Sequence, residues 1–188
     1  MYGASGRAAR RALPWLLLLA LWASGCGGAG GATFKQPAAA RTISGVPFFA
    51  QEQYQCGPAA LAGVMGYHGV RVTPDQVAKA IYRPELRGSV TLDLVLYARG
   101  KKLSAKWYEG GPQDLTTRVN AGLPLLVMVD RGIGPIRKLH YMVVVGYTPR
   151  AVIVNSGRHE HKAIAWDEFL GNWERTKLWT LLIGPPKG

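Results

Sequence analysis

Cysteine is scarce in this sequence and acidic charge is low: 188 residues carry two cysteines, and 11 Asp and Glu against 23 Lys and Arg. Two cysteines leave room for at most one disulfide. The shortage of acid gives a formal charge of +12 at neutral pH, which points to an anionic partner or to a basic, solvated surface. A long hydrophobic run is missing as well. The apolar stretch LPWLLLLALW, residues 13–22, is too short to cross a bilayer comfortably, which argues against a permanent transmembrane helix. No internal repeat is present, and the length suits one globular domain.

The amino terminus explains that short apolar run. Arg7, Arg10 and Arg11 precede it, and Ala23, Ser24 and Gly25 follow, so residues 1–25 have the charged, apolar and small-residue regions of a signal peptide. The tetrapeptide ASGC, residues 23–26, resembles a bacterial lipobox, which implies lipidation of Cys26 and a lipid anchor to the membrane. Gly27, where an aspartate would retain a Gram-negative lipoprotein in the inner membrane, implies the outer membrane facing the periplasm. The twin arginines lack the rest of a folded-export signal. Residues 26–42, rich in Gly and Ala without amphipathic period, read as a flexible tether, leaving 43–188 as the folded domain. Removing residues 1–25 leaves 20 basic against 11 acidic side chains, a net of +9. Export argues against nucleic acid as the partner, which leaves a basic, solvated surface with no specific partner or an anionic envelope surface.

If Cys26 is lipidated, Cys56 is a free thiol in an oxidising compartment, where an unprotected thiol invites damage. It stands in QEQYQCGPAALAGVMGYHG, residues 51–69, where a polar turn runs into small and apolar residues suited to a helix. The unsatisfied N–H groups and dipole of a helix start favour a thiolate. Chemistry accounts for a free cysteine there better than packing does, although cysteine also packs as a small hydrophobe.

Further along, VPFF at 46–49 reads as a short strand, and His68 and Gly69 would end the cysteine helix. Thr73 as cap and Pro74 as first helical residue predict a helix over 73–82. Residues 91–99, stopped by Gly100, and 112–122 give two more. Strands are predicted at 124–129, 140–147, 151–155, 162–166 and 178–183, with a short helix at 167–173 before the last. The fold class is therefore α+β, a helical amino-terminal half packed on a carboxy-terminal antiparallel sheet.

A cysteine of ordinary pKa is only about 3% thiolate at pH 7, and pairing with histidine in papain-type sites lowers the pKa to roughly 3 to 4. The thiol therefore needs a base. His68 is at the far end of the cysteine's own helix, and His159 and His161 sit in the charged turn RHEHK. His140, opening the most apolar strand, is the expected base. A tetrahedral intermediate also needs two donors, of which the Cys56 N–H supplies one. Gln51 is the expected second, with Gln53 and Gln55 as chemical competitors. His159 and His161 without a third ligand make a poor metal site, and no cofactor is expected. Arg131, Arg137 and Lys138 before His140 either meet acidic substrate groups or solvate the loop.

VPFFAQEQYQCGPAALAGVMGYHGV followed by HYMVVVGY resembles the bacteriocin-processing cysteine peptidases, family thirty-nine, which are papain-like and cleave leader peptides after a double glycine. The resemblance spans about residues 45–183. It implies a peptide or protein substrate, Cys56 as nucleophile, His140 as general base and acid, and Gln51 as side-chain donor of the oxyanion hole. In this family an aspartate just after the next strand orients the histidine. Here the sequence reads VNSG at 154–157, with Ser156 at the aspartate's position and Asn155 before it. A two-residue turn at Thr148 and Pro149 would pair Asn155 with Met142 on His140's face, whereas a three-residue turn would put Ser156 there. The former register, with Asn155 as orienting residue, is favoured. Peptide hydrolysis is the primary reading; an amide or thioester acyl transferase and a non-catalytic peptide-binding module on the same fold are its rivals.

Overall fold

A computed structural model describes residues 34–50, 55–86 and 88–185. The signal-like segment, Cys26, Gln51 and Gln53 lie outside the described residues. Among the described residues five α-helices and seven strands follow in the order β1 (Arg41–Thr42), α1 (Cys56–Tyr67), α2 (Pro74–Ile81), α3 (Thr91–Gly100), β2 (Ser104–Glu109), α4 (Pro112–Asn120), β3 (Leu125–Asp130), β4 (Leu139–Tyr147), β5 (Ala151–Ser156), β6 (His159–Ala165), α5 (Trp166–Glu174) and β7 (Trp179–Gly184). The α+β arrangement holds: the helices flank one antiparallel sheet of order β2-β7-β3-β4-β5-β6, with β1 paired to the end of β4.

Every residue of β4 after its first is buried, because neighbours flank it on both sides and helices cover it. Its near-continuous apolar run HYMVVVGY is the pattern of a strand buried on both faces. Across the sheet, Met128 pairs with Tyr141 in one row, and the rings of Tyr141 and Trp179 meet edge to face at 5.3 Å. This aromatic pair meets α3 where Trp179 Nε1 donates to Thr91 Oγ1 at 2.9 Å. On the buried face of α5, Trp173 is fully buried and its Nε1 donates to the Trp179 carbonyl at 3.0 Å.

Three expectations about local structure change. VPFF forms no strand: after β1 the last ladder bond is Ile43 N–H to Val145 O at 2.7 Å, and Pro47, which has no N–H to offer, lies against α1 at Gly63. Residues 104–109 are a strand that the sequence hid, because this edge strand buries only Ala105 fully and alternates weakly. The expected tether ends earlier than residue 42. Phe34 packs on Trp166 at 5.0 Å between ring centroids, and Arg41 and Thr42 pair with Tyr147 and Gly146, so the compact body begins at Phe34.

At α2 the capping box is complete. Thr73 Oγ1 accepts from Gln76 N–H at 3.2 Å and Gln76 Oε1 accepts from Thr73 N–H at 3.0 Å. Thr73→Ala should cost about 1 kcal/mol, read as a fall in melting temperature of roughly 2–4 °C.

Candidate functional site

Cys56 is the first residue of α1, whose first turn has no acidic side chain and whose N-cap, Gln55, makes no side-chain cap bond. The thiol therefore faces no carboxylate from its own turn, and the orphan N–H groups of a helix start surround it. Helix and sheet come together just beyond it: a Cβ on Gly57 would stand 3.3 Å from the Tyr141 ring and 3.4 Å from Ser89 Cβ. Cys56 and His140 are thus each one residue from a touching pair, Gly57 and Tyr141. Burial pushes the Tyr141 phenol up to about 12, partly opposed by a hydrogen bond with Thr91, and the charge of Cys56 adds to the rise. Among the described residues the Cys56 thiol has no hydrogen-bond partner, so fold geometry alone brings it to this corner.

His140 pairs across the sheet with Val129 and is 7% exposed. Its Nε2 lies 2.9 Å from Ser156 Oγ. Burial, and then the positive charges of Arg131, Lys162 and Lys138, push the imidazole down to about 3. A preformed imidazolium is therefore not what this site holds at neutral pH. What it holds is a neutral ring. With Nε2 donating to Ser156 Oγ, Nδ1 keeps the lone pair that a base needs.

The same shift has a consequence for stability. The unfolded histidine takes up a proton below about pH 6.5, while the folded one stays neutral until about pH 3. His140 therefore favours the fold above pH 6.5, and that contribution is lost progressively as the pH falls towards 3. Melting temperatures measured between pH 7 and pH 4 should fall less steeply in His140→Gln than in the unaltered protein.

Asn155 does not reach His140, and the register shows why. The β4–β5 connection is neither of the two turns considered. Tyr147 pairs with Val152 around Thr148–Ala151, where Thr148 Oγ1 accepts from the N–H groups of Arg150 at 3.2 Å and Ala151 at 3.0 Å. A bulge at Val145 then inserts one extra residue into β4, so that Val143 faces Asn155. Pairing continued by one residue sets Ser156 opposite Met142, on His140's face, and turns Asn155 to the other. Asn155 Oδ1 accepts instead from the His161 N–H at 3.0 Å, tying down the β5–β6 hairpin.

The other polar residues have separate places. His68 caps the C-terminus of α1, about 18 Å along the helix from Cys56. His159 and His161 belong to exposed β6 rather than to a turn, and among the described residues no three His, Cys, Asp or Glu side chains gather as a metal site would require. Gln55 lines a cleft together with Ala78, Lys79 and Tyr82. Buried Asp130 organises the loop before His140. Hydrogen bonds from the N–H groups of Lys138 (2.8 Å) and Gly132 (2.9 Å) hold its carboxyl below the usual range, with Arg175 and Arg137 adding to the effect.

Ser89, Thr91, Tyr141 and Trp179 were not legible as site residues. Among the described residues Ser89 Oγ is buried without a partner beside the α1 start, and the Ser89 carbonyl accepts from Tyr141 Oη at 3.4 Å. A cleft of about 460 Å³, whose walls include Leu92, Val95, Trp107 and Trp179, opens beside this group.

Residues 43–178 match the profile described as the Peptidase_C39 like family. No curated protein matches the chain. Among solved structures, a candidate C39-like peptidase from Bacillus anthracis is similar at 16% identity, over 79% of this chain and 99% of that one, with a TM-score of 0.66. The peptidase domain of Streptococcus ComA, a bifunctional ABC transporter of a quorum-sensing pathway, is 19% identical over 75% of this chain and 99% of its own, with a TM-score of 0.62. A double glycine motif protease from an AMS/PCAT transporter, solved with its leader peptide, is 25% identical over 80% and 98%, with a TM-score of 0.62. These solved chains are covered almost completely by a part of this one, so the fold they share needs no more than that part.

Proposed function

Because this chain belongs to the Peptidase_C39 like family, we propose that it is a papain-like cysteine peptidase that hydrolyses peptide bonds in the bacterial envelope, held there by a lipid on Cys26. The observation that carries the reading is the buried, neutral His140, bonded to Ser156 and next in sequence to the tyrosine that touches the Cys56 turn. His140 Nδ1 takes the Cys56 proton as the sulfur attacks the scissile carbonyl carbon. The oxyanion is held by the Cys56 N–H and the Gln51 side-chain amide. Collapse breaks the C–N bond, and the amine leaves with the proton returned by His140. Water, deprotonated by His140, then attacks the thioester, releasing the carboxylic acid and restoring the thiol.

Ser156 replaces the family's aspartate with a neutral acceptor. Orienting the ring needs an acceptor rather than a full charge, so Ser156 suits a base that starts neutral. The cleft beside Trp179 suits an apolar side chain of the peptide. The leader-bound relative makes double-glycine leader peptides the first substrates to try.

The test uses the protein with such peptides in heavy-oxygen water. Hydrolysis puts one heavy oxygen in the new terminal carboxylate, and Cys56→Ser gives no product. An amine-capped product would instead identify an acyl transferase. Absence of both, with Cys56 alkylation by iodoacetamide indifferent to His140→Ala, would leave a peptide-binding module. Intact mass of the membrane-extracted protein should show residues 1–25 removed and a diacylglyceryl or triacyl addition at Cys26. An unmodified Cys26 would remove the anchor from this reading and leave the peptidase untouched.

A further inference from the structure

The loop between β3 and β4, residues 131–138, carries apolar side chains outward into water. Ile133 is 86% exposed and Ile136 is 72% exposed, and Leu139 just beyond them is 52% exposed. The Ile136 N–H donates to the Ile133 carbonyl at 3.1 Å, closing a turn with Gly134 at φ +57° and Pro135 as its central residues. Positive φ at the first central position followed by proline is the pattern of a type II′ turn, which puts the two isoleucines at neighbouring corners. The loop's charged residues are Arg131, Arg137 and Lys138, all exposed and all positive. Arg137 pairs with buried Asp130 at 3.0 Å, and Arg131 and Lys138 have no ion-pair partner among the described residues.

This tip is held out rather than left loose. Asp130 Oδ1 accepts from both ends of the loop, at Gly132 and Lys138. Arg175 donates to the Gly132 carbonyl at 2.6 Å and to the Gly134 carbonyl at 3.4 Å. The neck is narrow enough that a Cβ on Gly132 would collide with the Ile136 carbonyl oxygen. A braced loop cannot fold its isoleucines back onto the body, so their exposure is a standing feature of the fold. Single exposed apolar residues are ordinary, but two at one turn, rimmed by cations, make a patch.

We propose that the Arg131–Lys138 loop docks the protein on an anionic lipid surface, Ile133 and Ile136 entering the acyl boundary while Arg131 and Lys138 meet lipid phosphates. The chemistry selects a bilayer over a protein partner. A convex apolar tip needs no matching pocket in a fluid interface, and basic side chains beside it reach back to the phosphate level. The inference does not depend on peptidase activity. It would fix the orientation of His140, two residues beyond Lys138, close to the surface that the loop enters.

The test uses a chain starting at Phe34, which holds the whole described core, so that no lipid anchor contributes. Vesicles of phosphatidylethanolamine with phosphatidylglycerol are compared with vesicles of phosphatidylcholine alone by co-sedimentation. The unaltered body should bind the anionic vesicles and not the neutral ones. Ile133→Ser with Ile136→Ser should lose that binding with an unchanged melting curve, and Lys138→Glu should weaken it by about tenfold. Should the double variant misfold, Ile133→Trp gives a second reading: a blue shift of emission with anionic vesicles beyond that of the unaltered protein. Several results would overturn the proposal. These are no binding by the unaltered body, binding that the loop variants leave intact, an emission from the Ile133→Trp variant that ignores the vesicles, or a loop needed only for self-association in sedimentation.

Discussion

Replacing His140 with alanine is expected to lower kcat/KM for peptide hydrolysis by about 10²–10⁴-fold, the range that a positioned general acid and base supplies. Two losses combine. Without a base, a cysteine of ordinary pKa is only about 3% thiolate at pH 7. Without an acid, the tetrahedral intermediate must expel the leaving nitrogen as an amide anion. The ring is 7% exposed, so its removal leaves a buried space, and added imidazole should restore part of the rate if that space stays open. Steady-state kinetics with and without imidazole check both points. Unchanged kcat/KM in the alanine variant would remove His140 from the mechanism.

Ser156 is expected to matter through His140 and Asn155 to matter only for folding. Ser156→Ala removes the acceptor 2.9 Å from Nε2, a bond that strengthens when the ring becomes charged during turnover. Hydrogen bonds to charged groups contribute about 1.5–3 kcal/mol, so kcat should fall about 10- to 100-fold with little change in KM. Asn155→Ala should leave kcat near its original value while lowering the melting temperature, because the His161 N–H loses its acceptor. Ser156→Asp gives the sharper reading. A carboxylate beside Nε2 favours imidazolium against the burial and the three cations that now push the ring down to about 3, so the acid limb of the pH–rate profile should move upward. A serine that served packing alone would leave that limb where it was.

The same residues mark how far the sequence could be read. The start of α1 was legible because Cys56 stands where polar residues give way to small ones, and β4 because its apolar run is uninterrupted. The partner of His140 was not. Its identity turns on whether strand β5 is shifted by one residue, and that shift arises from a bulge at Val145, beside Gly146, a glycine that marks an irregularity in the strand without saying which way the register moves. Strand β2 was missed for a different reason: an edge strand with a solvated face lacks the hydrophobic alternation by which strands are recognised. Ser89 and Thr91 lie more than 30 positions from Cys56 and about 50 from Tyr141. Only the packing of α3 against the pair of Tyr141 and Trp179 brings them to the site, and local patterns carry no record of it.

The contact between Phe34 and Trp166 sets a length. If Cys26 carries the lipid proposed above, the ring docked at Phe34 would leave eight residue steps between membrane and body, which even fully extended span only about 28 Å. A leash of that reach would confine the protein to a thin shell at the bilayer. Within it, the encounter with a membrane-borne peptide would be a search in two dimensions at high local concentration, and a soluble peptide a few nanometres further out would be beyond reach until it diffuses in. Loss of the Phe34 anchor, as in Phe34→Gly, would release about seven more residue steps, to the next fixed point at Arg41 in β1, and widen the shell by roughly 24 Å.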